Sequence, residues 1–192
     1  NSAGAYTVTI TETDSGCMTT ATTTVIESSP PVSYDAVLIN GAFADNHTIE
    51  VTAEGIGANA YEYALDEGAF QDSNVFENVQ AGTHMITIQD KNGCGSVTFE
   101  VGVIDYPLYF TPNEDNINDT WNIIGIGAGD PSAKIYIFDR YGKLLKQISP
   151  TGNGWDGTFN GNPMPSSDYW FQVEYTEQEI QKEFRGHFTL KR

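Results

Sequence analysis

One stretch of this chain occurs twice. Ala3-Gly4-Ala5-Tyr6-Thr7-Val8-Thr9-Ile10 aligns with Ala81-Gly82-Thr83-His84-Met85-Ile86-Thr87-Ile88, and Gly16-Cys17 aligns with Gly93-Cys94. An internal match of this kind marks a repeat architecture, in which one supersecondary unit recurs along the chain. Each copy alternates apolar and polar residues and then reaches a turn, Asp14-Ser15-Gly16 or Lys91-Asn92-Gly93. Thr- and Val-rich sequence follows. The pattern reads as strand, tight turn, strand.

The repeat sets the organisation. Residues 1–27 are expected to be the C-terminal hairpin of a truncated upstream repeat, since a hairpin alone is marginally stable at best. A complete repeat runs over 28–105, opened by the stiff linker signal Ser28-Ser29-Pro30-Pro31. Residues 106–192 form a second module. The handover is expected near Ile104-Asp105-Tyr106-Pro107, because Pro107 lacks an N–H and biases Tyr106 to an extended conformation.

No long stretch places apolar residues at helical spacing. Aromatics reach 12% and Thr and Val are abundant, a mix suited to pleated, half-buried strands. The expected fold class is all-β. In the C-terminal module Tyr169, Phe171, Val173 and Tyr175 alternate with Trp170, Gln172 and Glu174. Phe184, Gly186, Phe188 and Leu190 alternate with Arg185, His187, Thr189 and Lys191. One face of each strand is therefore apolar. Asn153-Gly154 and Asn160-Gly161 are tight-turn dipeptides.

The formal charge of −17 argues against nucleic acid and against an electrostatic hold on anionic lipid. The charge is unevenly spread: residues 1–105 hold fifteen acids and one base, Lys91, whereas residues 106–192 hold eleven acids and eight bases. Such asymmetry points to two modules with different neighbours. Cys17 and Cys94 lack zinc-site spacing, and their equivalent positions in successive repeats put them too far apart for a bond to each other. No run of about twenty apolar residues exists, so no direct membrane insertion is expected.

Two resemblances add to this. Tyr61-Glu62-Tyr63-Ala64-Leu65-Asp66-Glu67-Gly68-Ala69-Phe70, Phe76 to Gly82 and Asp90 to Gly95 resemble the tandem immunoglobulin-like repeats of large Bacteroidetes surface adhesins. The C-terminal module carries five blocks. They are Phe110 to Trp121, Ile135 to Lys143, Trp155-Asp156-Gly157-Thr158, Asp168-Tyr169-Trp170-Phe171 and Arg185 to Arg192. Their order and spacing resemble the type B C-terminal sorting domain of the type 9 secretion system, also called the gliding-motility-associated C-terminal domain. One departure is Glu114 and Asn116, where that family usually has glycines. The two resemblances imply a tandem immunoglobulin-like β-sandwich repeat followed by a C-terminal β-sandwich sorting domain. They imply a secreted cell-surface adhesin in which the repeat is a stalk and the last module a non-enzymatic address. Its implied partners are the type 9 translocon, its shuttle protein and a PorP/SprF-like outer-membrane protein.

Several residues are candidates for chemistry. Asn113, Asp115, Asn118 and Asp119 crowd oxygen side chains into one loop, as a calcium ion would require. Ile117 breaks the EF-hand spacing, and Asx-turns between strands explain the same composition. No other cofactor is expected. His47, His84 and His187 are scattered and no nucleophile signature is present, so no catalytic residue is assigned. Trp155 at a turn reads as a plug of the sandwich core. Trp170, opposite the apolar face of its strand, is free to meet a partner. Arg140 is open to a structural salt bridge, with Asp139 or Asp156, or to recognition. With Arg185, Lys191 and Arg192 it borders the expected docking surface, although basic side chains also guard a sheet edge against unwanted pairing. The alternative function is a carbohydrate-binding module of a secreted glycan-degrading protein, which would need several aromatics exposed in a row.

Overall fold

The computed structural model describes residues 2–56, 60–126, 130, 132–177 and 179–192. Among these it contains fifteen strands and no helix. β1 (Gly4–Thr11) and β2 (Met18–Val25) form an isolated antiparallel hairpin. β3 (Ser33–Leu38), β4 (His47–Glu54) and β6 (Val75–Val79) form one three-stranded sheet, in the order β3-β4-β6. β5 (Tyr61–Leu65), β7 (Gly82–Asp90) and β8 (Ser96–Val103) form another, with β7 in the middle. The buried residues of these strands include Ile49, Val51, Ala64, Phe76, Ile86, Ile88 and Val103. They alternate with exposed or half-buried neighbours, as strands covered on one face require. Cys17 and Cys94 are free and exposed.

Eight residues of β1 and eight of β2 pair in register, from Gly4 with Val25 to Thr11 with Met18, and all of them are exposed. By internal contacts the chain separates into two compact units. One comprises Asn1–Ala36, Val51–Asn74 and Ile86–Phe99, and the other Val37–Glu50, Val75–Met85 and Glu100–Arg192. The unit that holds the C-terminal module thus also takes in residues from before the junction read at 104–107. At that junction β8 ends at Val103, and β9 (Tyr109–Phe110) joins a different sheet.

The second unit is built on a five-stranded sheet of order β11-β10-β14-β15-β9. Its other strands are β10 (Lys134–Phe138), β11 (Leu144–Ile148), β14 (Ser167–Glu177) and β15 (Ile180–Leu190). β15 pairs with β14 over its whole length and runs parallel to β9 at Thr189 and Leu190. A small ladder, β12 (Thr158–Phe159) with β13 (Asn162–Pro163), and backbone bridges at Asp105–Ile124 and Trp121–Trp155 complete the module.

Alternation along β14 and β15 buries Tyr169, Phe171, Val173, Tyr175, Phe188 and Leu190. Against them pack Phe110, Trp121, Ile123, Ile135, Ile137 and Trp155. The Trp121 ring stacks on Phe188 with centroids 3.8 Å apart. Both indoles are fully buried and satisfied: Trp121 Nε1 donates to the Pro107 carbonyl and Trp155 Nε1 to the Thr158 carbonyl, each at 2.8 Å. Trp155 is therefore the core plug its turn position suggested. Each such side chain contributes about 1.5–3 kcal/mol by leaving water, and an unmet indole N–H would cancel much of that. Phe43 joins the same core, stacked on Phe184 at 4.1 Å. Gly186 leaves room for Phe171: a Cβ there would lie 2.7 Å from the Phe171 ring and 3.1 Å from the Tyr106 hydroxyl.

Candidate docking face

The alternation that buries one face of the five-stranded sheet presents the other to solvent. Pairing across β10, β14 and β15 brings Phe138, Trp170 and His187 into one row and Tyr136, Gln172 and Arg185 into the next. Phe138 and Tyr136 are half-buried, but Trp170 keeps 43% of its surface exposed. Its ring lies 6.4 Å from the His187 ring.

The turn between β10 and β11 borders this face. Asp139 stiffens it, because its carboxylate accepts the Tyr141 N–H at 2.8 Å and the Lys143 N–H at 3.0 Å. Gly142 supplies a positive φ of 79° within the same turn. The result is a fixed turn from whose tip Tyr141 projects, 86% exposed. Arg140 Nη2 donates to the Ser167 hydroxyl at 2.9 Å, which anchors the turn to the start of β14. The acceptor is a serine, not the carboxylates of Asp139 or Asp156.

Phe138, Arg140, Trp170, Gln172 and Arg185 line a depression of about 430 Å³. Three of the five residues expected at a docking surface, Arg140, Trp170 and Arg185, thus converge on one spot. The lining does not include Lys191 or Arg192. The Lys191 ammonium sits 4.0 Å over the Tyr109 ring, and Arg192 donates to the carbonyls of Met164 and Gly157 at 3.1 and 3.2 Å. Those two bases hold the end of the sheet together. Arg185 is paired to Glu183 at 2.9 Å, an exposed bridge worth at most about 1 kcal/mol, so its guanidinium can be exchanged to a partner carboxylate at small cost.

Phe138 lines the depression and Tyr141 projects from the turn that borders it without lining it; neither was among the sequence candidates. Phe138 had a signal, being one residue out of step with the buried Ile135 and Ile137. Tyr141 had only the rarity of a large aromatic at a turn tip.

The asparagine/aspartate loop has a different geometry. Asp119 accepts the N–H groups of Asn113, Glu114 and Asn116 at 2.9, 2.7 and 2.7 Å. Asp115 accepts the Ile117 N–H at 2.8 Å and the Asn113 side-chain amide at 2.9 Å. The Asn118 carbonyl accepts the Thr111 N–H at 2.8 Å. The amides converge on a carboxylate, as in an anion nest whose anion belongs to the chain itself. Desolvation pushes the Asp119 pKa up, but the three amides more than offset it and hold the pKa below its ordinary value. Among the described residues no group of three or more His, Cys, Asp or Glu side chains is placed to hold a metal ion. The three histidines stay apart: His47 meets Asp105 at 3.2 Å, His84 the Gln80 carbonyl at 2.8 Å, and His187 lies beside Trp170.

Comparison with known proteins gives one informative match. Residues 104–190 match the CHU_C type IX secretion signal domain. This is a family of non-enzymatic signals for export by the type IX system, which leads through the outer membrane. No curated protein matches. Similar solved structures include the BSP domain of a biofilm-associated protein, at 13% identity over 76% of this chain with a TM-score of 0.26. The chain spans 27% of that structure's length. Another is the FN1–FN3 region of chicken CNTN1, at 11% identity over 98% of this chain and 78% of that one, with a TM-score of 0.24. TM-scores of this size leave the fold assignment to the strands themselves.

Proposed function

We propose that the C-terminal module is an address read in its folded state, and that the machinery reads it on the outer sheet face around Trp170. The observation that carries this reading is a half-exposed Trp170 that lines one depression with Arg140 and Arg185, bordered by the turn from which Tyr141 projects. Interface hot spots are enriched in Trp, Tyr and Arg, and they cluster in shallow pockets that a partner can desolvate. Here such residues are held by a hydrogen-bonded turn and a five-stranded sheet, so little ordering cost remains at docking.

The partners in this reading are the translocon, its shuttle protein and a PorP/SprF-like outer-membrane protein. The destination is the cell surface. The immunoglobulin-like repeat at residues 28–105 is a stalk of an adhesin. Charge supports the division of labour, since the bases concentrate in residues 106–192 and residues 1–105 carry only Lys91. The carbohydrate-binding alternative needs a row of exposed rings. Phe138 and Tyr136 are half-buried on this face, so Trp170 stands without that row.

The test is export of a reporter fused ahead of residues 1–192 in a cell with a working type IX system. Trp170→Ala combined with Tyr141→Ala is expected to cut export at least about tenfold, the loss of one or two hot-spot contacts. Lys191→Gln is expected to leave export near the parent level. Circular dichroism of the purified variants checks folding. A folded double variant exported like the parent would place the docking face elsewhere.

A further inference from the structure

The core of the C-terminal module is closed by residues that lie well ahead of it in the chain. β3 ends at Leu38 and β4 begins at His47, and the loop between them packs on the module's core through Ala42 and Phe43. The Phe43 ring stacks on Phe184 at 4.1 Å, with the two planes 12° apart. It meets Tyr175 edge-on at 5.4 Å and Tyr106 at 6.0 Å. Hydrogen bonds hold the backbone beside the ring. The Phe43 N–H donates to the Ile104 carbonyl and the Ala42 N–H to the Glu177 carboxylate, each at 2.9 Å. The second oxygen of Glu177 accepts from the Lys182 ammonium on the neighbouring strand, which fixes the acceptor in place. His47, at the start of β4, is 5% exposed, and its Nε2 lies 3.2 Å from the Asp105 carboxylate. All of these residues fall within one compact unit.

The backbone marks a fitted contact. Phe43 takes a left-handed φ of 59°, which a bulky residue adopts only where its surroundings over-determine it. Gly41 turns the chain just before it at φ 74°. From Phe43 a chain of rings runs inward: Tyr106 lies 4.7 Å from Phe171, and Phe171 lies 4.9 Å from the buried Trp121. Phe43 is thus the outermost ring of the aromatic core, although it stands outside the matched residues 104–190.

We infer that the sorting module takes the Gly41–Phe43 turn as a built-in ligand, and that its core is closed only while the sheet β3-β4-β6 that carries this turn is folded. The socket recognises an aromatic ring through Tyr106, Tyr175 and Phe184, and a backbone N–H through Glu177. The working address therefore reaches back beyond residues 104–190 to include the turn. On the reading that the export machinery accepts the module in its folded state, export becomes conditional on the folding of β3, β4 and β6 as well.

The three tryptophans, Trp121, Trp155 and Trp170, all lie in residues 106–192, so tryptophan fluorescence of the full chain in urea follows the module alone. Phe43→Ala is expected to raise the module's unfolding equilibrium constant at least about tenfold. Combined with Phe184→Ala, its effect is expected to fall short of the product of the two single effects by at least about threefold, as for rings in contact. Ile49 is 0% exposed in β4, and Ile49→Asp opens the loop-bearing sheet while leaving residues 104–190 unaltered. It is expected to lower the same tryptophan transition, and adding Phe43→Ala to it is expected to change nothing further. A transition unmoved by Phe43→Ala or by Ile49→Asp would overturn the proposal. So would independent, fully multiplicative effects of Phe43→Ala and Phe184→Ala. Export of a reporter fused ahead of residues 1–192 is expected to fall in Ile49→Asp, and export at the parent level would overturn the proposal equally. Trp170→Ala with Tyr141→Ala is expected to lower export with the transition of the two remaining tryptophans unmoved, so failure of the docking face and failure of the closed socket give different results.

Discussion

The loop from Asn113 to Asp119 shows how a residue choice becomes legible only through backbone angles. Glu114, Asn116 and Asn118 all take left-handed φ values, 66°, 65° and 53°. Left-handed angles turn successive amides inward onto Asp119, and glycine adopts them without the Cβ penalty. This accounts for the glycines usual at two of these positions in the sorting-domain family. Glu114→Gly keeps the amide and removes the strain, so it is expected to stabilise the chain by about 1 kcal/mol, read in urea unfolding. A loss of stability would mean that the Glu114 side chain, not its backbone, is what the loop needs. Composition alone announces oxygen atoms, and calcium ligands and amide acceptors look the same at that level. A second carboxylate, Asp130, is buried and accepts the Ser132 hydroxyl at 2.6 Å and the Thr176 N–H at 2.7 Å. The Ser132 hydroxyl holds its pKa below the ordinary value, against burial, with help from Thr176. A depressed carboxyl stabilises the fold fully above its unfolded pKa of about 4 and loses that contribution as the pH falls through the lower folded value. Asp130→Asn is therefore expected to cost about 1–3 kcal/mol at pH 7. The gap to the parent is expected to narrow below about pH 4, and a gap that stays constant in acid would contradict the assignment.

At the scale of elements, β14 and β15 were the easiest strands to read. Their period of two is unbroken over the buried positions, and the outward Trp170 follows from it directly. The parallel pairing of β9 with β15 left no trace, because two residues are too few to show a period. Nor did the sequence reveal that Phe43 would pack on Phe184, a contact across 141 positions that no local pattern encodes. Gly186 is the element-scale counterpart of these misses. It looks like a weak point in a strand, yet its missing side chain is what admits the Phe171 ring beside Tyr106. Gly186→Ala is expected to destabilise the second unit by about 1–3 kcal/mol through overpacking, measured by chemical denaturation. A neutral result would show that the two rings can move aside without loss.

Across the whole molecule the parts are unequal in what they need. The hairpin β1–β2 buries none of its residues, so deleting residues 1–27 is expected to leave the thermal unfolding of the remainder unshifted by calorimetry. A marked fall would reveal a stabilising role for the hairpin within this chain. The five-stranded sheet behaves in the opposite way. β15 is the last of its strands along the chain, but it lies inside the sheet, between β14 and β9, and supplies Phe188 and Leu190 to the core. A ribosome makes those residues after the other strands of this sheet, and until they emerge Trp121 lacks the Phe188 ring it stacks on and β9 has no strand to join. A polypeptide broken off by a premature stop codon anywhere upstream of β15 therefore lacks the means to close this core. A reader that accepts only the closed fold thus receives, along with the address, a certificate that translation has run through the message as far as the last strand.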